Sequence, residues 1–241
     1  MEATTLSAAL IIGSVALLLV SLFITFLGYK HFSTALVFQG AILGGFLGWE
    51  VGQAMSGYAK ASSPFLNLGV ACAIALIFAL FTLLMKRLVQ FLFGVALGIQ
   101  LGSVLNIVYL HTIDSSKPNQ FGYCAMAGFG FLFGAMACIR NRAMHVILTA
   151  WVGAYWIVQS IGNMAGGFPS LFYPFPQDAP TTVPTAYFIY IGGWLFAGVL
   201  GTVVQFQLTA VEFNHHTPIE DIDLEKDSLQ ERELTTPYTK H

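Results

Sequence analysis

The chain has 241 residues, of which 56% are hydrophobic and 9% charged, and its formal net charge is −2. A soluble domain carries about 25% charged residues, so this much apolar surface excludes a water-soluble fold and makes lipid the solvent for most of the chain. No basic patch large enough to hold a nucleic acid is present, because the few Lys and Arg are spread along the sequence and phosphate backbones are gripped by clustered cations.

A transmembrane helix needs about 20 mostly apolar residues. Seven segments meet that length in chain order: Leu6–Leu27, Phe32–Met55, Phe65–Met85, Leu88–Leu110, Gly122–Ile139, Ala143–Met164 and Ala186–Leu208. The first is read as a retained span and not a cleaved leader, since it opens with Glu2 in place of a basic n-region and its apolar run is too long. Short basic turns follow spans one, three and five: Lys30-His31, Lys86-Arg87 and Arg140-Asn141-Arg142. Across the intervening loops only Lys60 and Lys117 occur. Lys and Arg in short loops stay cytoplasmic, which predicts an outer N-terminus and a cytoplasmic C-terminus. The expected fold class is an all-α membrane protein with seven transmembrane helices, built as three antiparallel helical hairpins closed at the basic turns plus a seventh helix.

The longest outer loop, Gly166 to Thr185, mixes Phe168, Phe172, Tyr173 and Phe175 with five prolines. Aromatic rings favour the headgroup region and proline does not sustain a helix, so the loop is expected to lie along the outer interface. Residues 1–208 form the membrane domain; residues 209–241 form an acidic tail, poor in apolar residues and expected to be disordered.

Glycines recur every fourth residue in two spans. Gly40, Gly44, Gly48 and Gly52 line the second, and Gly94, Gly98 and Gly102 line the fourth, the first three superposing under a shift of 54 residues. Lipid gives helices no hydrophobic reason to associate, and small residues on one face let two backbones approach closely. These stripes are therefore candidate glycine-zipper packing faces within the bundle, with a homodimer face as the alternative. Cys72, Cys124 and Cys138 lie inside apolar runs without a CxxC motif and read as small core residues.

Polar groups inside the spans are few. Glu50 is the only acid there, near the outer end of span two; Gln39 shares that span. Gln100 sits near the middle of span four and Asn106 nearer its outer end, about 120° apart around the helix at 3.6 residues per turn. These four side chains are the candidate lining of a polar pathway, weighed against ordinary interhelical bonding. His145, one turn past Arg142, is expected to reach the cytoplasmic interface, and Trp151 and Trp156 to pack in span six. There is no HExxH, GxSxG or Walker loop, so no catalytic, cofactor-binding or metal-binding residues are assigned and no enzyme activity is expected.

The turn Gly28-Tyr-Lys-His-Phe32 leads into Phe38-Gln-Gly-Ala-Ile-Leu-Gly-Gly-Phe46; Leu84-Met-Lys-Arg-Leu88 and Ala137-Cys-Ile-Arg-Asn-Arg142 follow. Over roughly residues 8–208 the chain resembles the transmembrane protein 198-like family, also represented by seven-transmembrane superfamily member 3. The resemblance implies seven helices, no established catalysis, no cofactor and a scaffold or signalling role. The expected partners are the lipid bilayer, further membrane subunits or a second copy, and a cytoplasmic protein at the acidic tail. The competing expectation is a channel or transporter for an ion or small solute.

Overall fold

The computed structural model describes residues 2–59, 64–114, 116–139, 141–172, 174–175 and 183–209. The tail from residue 210 onward, with the expectation of disorder attached to it, lies outside these residues. Within them are seven helices long and apolar enough to cross a membrane. They are α1 (Glu2–Leu27), α2 (Phe32–Ala59), α3 (Pro64–Leu84), α4 (Lys86–Val108), α5 (Gln120–Ala137), α6 (Arg142–Ala165) and α7 (Thr185–Val204). The chain is thus a multi-pass integral membrane protein in contact with lipid.

Local chemistry sets several boundaries. Asn141 is extended and its side-chain oxygen accepts from Ala143 N, capping the start of α6. Pro64 opens α3 and Pro184 precedes α7, positions where a missing N–H costs nothing. Gly166, at φ 83°, ends α6 by turning left-handed while its N–H bonds back to the Gly162 carbonyl at 2.7 Å.

The helices pair differently from the hairpins expected at the basic turns. The most extensive contacts are α2 with α3, α4 with α5, α1 with α6, and α6 with α7; α1 with α2, α3 with α4 and α5 with α6 touch far less. A short turn makes neighbouring helices antiparallel, but backbone approach is governed by where the glycines face. On α2 they face α3: a Cβ at Gly44 would lie 2.7 Å from the Ile74 carbonyl, at Gly48 2.6 Å from Ala71 Cα, at Gly52 2.8 Å from Asn67 Cα, and at Gly40 3.1 Å from the Phe78 carbonyl. On α4 they face α5: a Cβ at Gly94 would lie 2.7 Å from Phe133 C and at Gly102 2.6 Å from Met126 N, while one at Gly98 would enter the backbone of Phe129 and Gly130.

The 54-residue repeat therefore relates α2–α3 to α4–α5, two pairs joined at the end away from the basic turns. The fourth step swaps its residues between the two helices of the pair. Gly52 of α2 meets Asn67 of α3, whereas Asn106 of α4 occupies the shifted position and meets Gly122 of α5. A glycine and an asparagine face each other either way, and the amide fills the room that the glycine leaves.

α6 is the most enclosed span and α3 and α7 are among the least. Its neighbours α1 and α7 converge on it through glycines: a Cβ at Gly153 would lie 2.8 Å from Thr25 N, at Gly198 2.9 Å from Trp151 Cδ2, and at Gly28 2.7 Å from Thr149 Cβ. The buried cluster joins Ile24, Leu36, Phe93, Leu97, Leu148, Val152, Tyr155, Trp156 and Trp194 from five helices. Each repeat pair turns one helix inward, α2 or α4, and leaves α3 or α5 outside. Cys72, Cys124 and Cys138 belong to this outward surface; all three are exposed, not core.

The basic turns share one end of the bundle. The Phe32 and His145 rings lie 4.6 Å apart, bringing the start of α2 to the start of α6, and Gln90 of α4 reaches both His145 and the end of α5. Arg140 falls outside the described residues, but Lys30, Lys86, Arg87 and Arg142 belong to this end.

Gly98→Leu should cost more than the roughly 1–3 kcal/mol of ordinary overpacking, because backbone is what it would displace. Gly69→Leu, with nothing within 4 Å of its Cβ, removes a helix glycine worth about 1 kcal/mol relative to alanine and should leave stability unchanged or raised. Thermal unfolding of both variants in detergent checks the contrast; equal midpoints would remove the close-approach argument.

Candidate functional site

The four candidate pathway residues do not come together. Gln39 is fully buried on α2, and its Oε1 accepts from Trp156 Nε1 on α6 at 3.1 Å. Gln100 is also fully buried. It lies on the stripe of Phe93, Leu97, Val104 and Ile107, opposite the glycines, so it points into the bundle and away from α5; neither side-chain atom has a hydrogen-bond partner. Asn106 lies on the other face, against Gly122, where its Nδ2 donates to Asn119 Oδ1 at 3.4 Å. Glu50 is exposed on the outside of α2, not turned toward the interior. An acid near a helix end can stay solvated there, so its position needs no internal partner.

Polar side chains instead concentrate at the basic-turn end, around a residue that the sequence reading passed over. Gln205 starts a turn of π-helix, Gln205–Thr209, at the end of α7 and is fully buried. Its Oε1 accepts from Tyr29 N at 3.2 Å and from the Thr149 hydroxyl at 3.0 Å. Its Nε2 donates to the Thr25 carbonyl at 2.7 Å and the Ile24 carbonyl at 3.3 Å. One amide thus uses both donors and both acceptor positions to join α1, α6 and α7. Four residues on, the Thr209 hydroxyl donates to the Phe26 carbonyl at 2.9 Å. π-turns insert a residue into a helix and are frequent at functional places; here Gln205 and Thr209 of this turn donate to the Thr25 and Phe26 carbonyls in the last turn of α1, a place where carbonyls need donors.

A second polar contact lies beside the first. His145, one turn past Arg142, is enclosed by protein, 3% exposed. Its Nε2 lies 2.8 Å from Gln90 Nε2 and 3.1 Å from the Ala137 carbonyl. With the imidazole neutral and its proton on Nδ1, Nε2 accepts from Gln90, whose other amide hydrogen goes to Ala137 O. This ties α4, α5 and α6 at the same level where Gln205 ties α1, α6 and α7. α6 belongs to both.

At the opposite end the described part of the aromatic loop packs on the helices. The Phe175 ring is buried against His111, 4.8 Å between centroids, and its carbonyl accepts from Asn119 Nδ2 at 2.6 Å. The Pro174 and Gly166 carbonyls accept from the hydroxyls of Tyr187 and Tyr190. Phe168 seats on Gly162 and meets Tyr155 and Tyr190 edge-on. The loop joins the α6–α7 connection to the α4–α5 connection. In the exposed part of that latter connection, the Ser116 hydroxyl and N–H both donate to Asp114, which holds its carboxyl below the usual carboxylate range.

Two hollows accompany this framework. One, of about 360 Å³, is an open apolar groove along the outer seam of α4 and α5, lined by Phe91, Val95, Gly130, Phe131 and Phe172 among others. The other, about 20 Å³, lies under Phe168 between Ser103, Tyr155 and Trp194. Neither is lined by Gln39, Glu50, Gln100 or Asn106. Among the described residues, no group of three or more His, Cys, Asp or Glu side chains gathers as a metal site would require.

The comparison with family models settles the lineage. The TM7S3/TM198-like domain matches residues 14–206, from the middle of α1 into the start of the π-turn that carries Gln205. The chain belongs to this family. No curated protein and no solved structure matches. The matched region ends within the polar clamp, and the acidic segment beyond it is outside the family domain.

Gln205 was legible in principle. Trp194, Gly198, Gly201 and Gln205 follow one another at steps of four, three and four and make up the buried stripe of this last helix. A glutamine continuing a glycine stripe must face protein, and that spacing was the available signal. Gln205→Leu and Thr149→Val should each destabilise the bundle, with a coupling of about 0.6–1.7 kcal/mol in a double-mutant cycle, the range of interhelical bonds in membranes. Additive losses in thermal unfolding would deny the bond between them.

Proposed function

We propose that the protein is a non-enzymatic membrane scaffold, a rigid seven-helix anchor whose basic-turn end faces the cytoplasm and presents the acidic segment to partner proteins. The observation that carries the reading is the use made of the buried polar groups. Gln205, Thr149, Gln39, Asn106, Asn119 and His145 are bonded to neighbouring helices or loops, and the two hollows described above are not lined by the candidate pathway residues. A conduit needs polar atoms left for a passing solute; here most of them hold helices together. The orientation follows from the basic residues of the short turns, and a membrane complex or a second copy is the natural setting for an anchor of this kind.

Unpartnered amide atoms favour the transport reading. Gln100 is fully buried at mid-span and neither amide atom has a partner, and Gln39 Nε2 and Asn106 Oδ1 are likewise buried without one, an arrangement that costs about 1–3 kcal/mol for each group left unmet. If they served a solute, purified protein in vesicles would pass ions or small solutes above the rate of empty vesicles, and Gln100→Leu would abolish that flux. The scaffold reading expects flux equal to that of empty vesicles. It also expects truncation after Thr209 to leave the unfolding midpoint nearly unchanged while removing the proteins that co-purify with the full chain. Retention of those proteins by the truncated chain would move the docking surface away from the acidic segment.

A further inference from the structure

Toward the aromatic-loop end of the bundle, the hollow of about 20 Å³ is walled by α4, α6, α7 and the described part of the loop. α4 contributes Ser103, α6 Tyr155, and α7 Tyr190 and Trp194, with Phe168 and Pro169 completing the wall on the loop side. Three hydroxyls therefore border a space otherwise enclosed by apolar side chains. Ser103 is 2% exposed and Tyr155 6%, so bulk water serves neither of them.

Hydrogen-bonding capacity is left over here. A hydroxyl inside a helix ordinarily donates back to the carbonyl four residues earlier, as those of Thr149, Ser160 and Thr202 do. Ser103 makes no such bond, and the Tyr155 hydroxyl takes no partner among the described residues either. Tyr190 gives its one hydroxyl proton to the Gly166 carbonyl at 2.6 Å, which leaves its oxygen able to accept. Trp194 spends its N–H on the Trp151 carbonyl at 3.1 Å and brings only its ring. Ser103 and Tyr155 can thus donate and accept, and Tyr190 can accept. Buried hydroxyls left alone cost free energy. A wholly apolar cavity stays dry, whereas one bordered by polar groups takes up water.

Size selects the occupant. A water needs roughly 10–15 Å³ of such space and about two to four polar partners; the hollow supplies about 20 Å³ and three hydroxyls, enough for one molecule and not for two. We propose that the hollow is a binding site for a single water, held by the Ser103 and Tyr155 hydroxyls with Tyr190 as a further partner. The bound water joins α4, α6 and α7 near the aromatic loop, as Gln205 and His145 join helices at the basic-turn end. It also makes the seat of Phe168, otherwise a contact of rings on Gly162, depend on a polar bridge beneath it. The site is independent of the scaffold reading.

The test is radiolytic hydroxyl labelling of the full chain in detergent, in which ionised water modifies the side chains beside it, followed by peptide mass mapping. Tyr29 is the control, a tyrosine that is fully buried at the basic-turn end and does not line the hollow. The expected result is modification of Tyr155 several-fold faster than of Tyr29, with Trp194 modified as well. Labelling of Tyr155 no faster than that of Tyr29 would show the hollow to be dry and overturn the proposal. Mixing with heavy-oxygen water for increasing delays before the pulse separates a held water from bulk solvent. Heavy label at Tyr155 should lag behind that at Tyr109, which is 60% exposed. Equal heavy fractions at both from the shortest delay would assign the modification to bulk water entering by local opening, and would equally overturn it. Ser103→Ala combined with Tyr155→Phe removes two of the partners and should lower Trp194 labelling several-fold; undiminished labelling in the folded variant would place the water elsewhere. Where that variant fails to fold, the comparison of Tyr155 with Tyr29 in the unaltered chain decides alone.

Discussion

In hydrocarbon, two apolar helices gain nothing by leaving lipid for each other, so proximity has to come from dispersion contact at short range. That requirement falls on the few positions where a side chain is missing. At Gly44, Gly48, Gly98 and Gly102 the facing surface is backbone or Cβ of the next helix, with no space for a methyl group. The pairs α2–α3 and α4–α5 are consequences of those contacts, and the pairing explains why each has an inner and an outer member.

Polar side chains supply what glycine cannot, a distinction among more than two helices. A glycine stripe joins one helix to one other. Gln205 joins three, because its amide reaches the Thr25 carbonyl, the Tyr29 N–H and the Thr149 hydroxyl at once. Gln90 and His145 bring α4 and α5 to the same helix from the other side. α6 is the common member, and its glycine and threonine positions admit α1 and α7 closely enough for these bonds to form. Its polar load suits an enclosed position and would sit poorly against lipid.

Span number, the common end of the basic turns and the glycine stripes could be read directly, since each depends on residue type at a fixed spacing. The partners of those stripes could not. Gly40 to Gly52 mark a face of α2 but do not state which helix it meets, and the short loop at Lys30-His31 pointed to α1 when the contact is with α3. The position of His145 one turn from Arg142 did not disclose its partner, which is Gln90 from a distant helix. Glu50 shows the reverse, an intramembrane acid by position that lies on the exposed side of its helix. Gln205 went unnoticed because a lone glutamine near the end of an apolar run resembles a boundary residue until the spacing from Trp194 is counted.

The order in which the chain is made gives the α1–α6 pairing a further meaning. Synthesis proceeds from the N-terminus, so α1 enters the bilayer long before its main neighbour exists. α2 and α3, then α4 and α5, find each other as soon as both members emerge, while α1 waits through four intervening spans. A helix in that position has to be comfortable alone in lipid, and α1 holds the most apolar window of the seven. α6, arriving late among helices already in place, has no such solitary interval and can carry a histidine that Gln90 of α4 then satisfies.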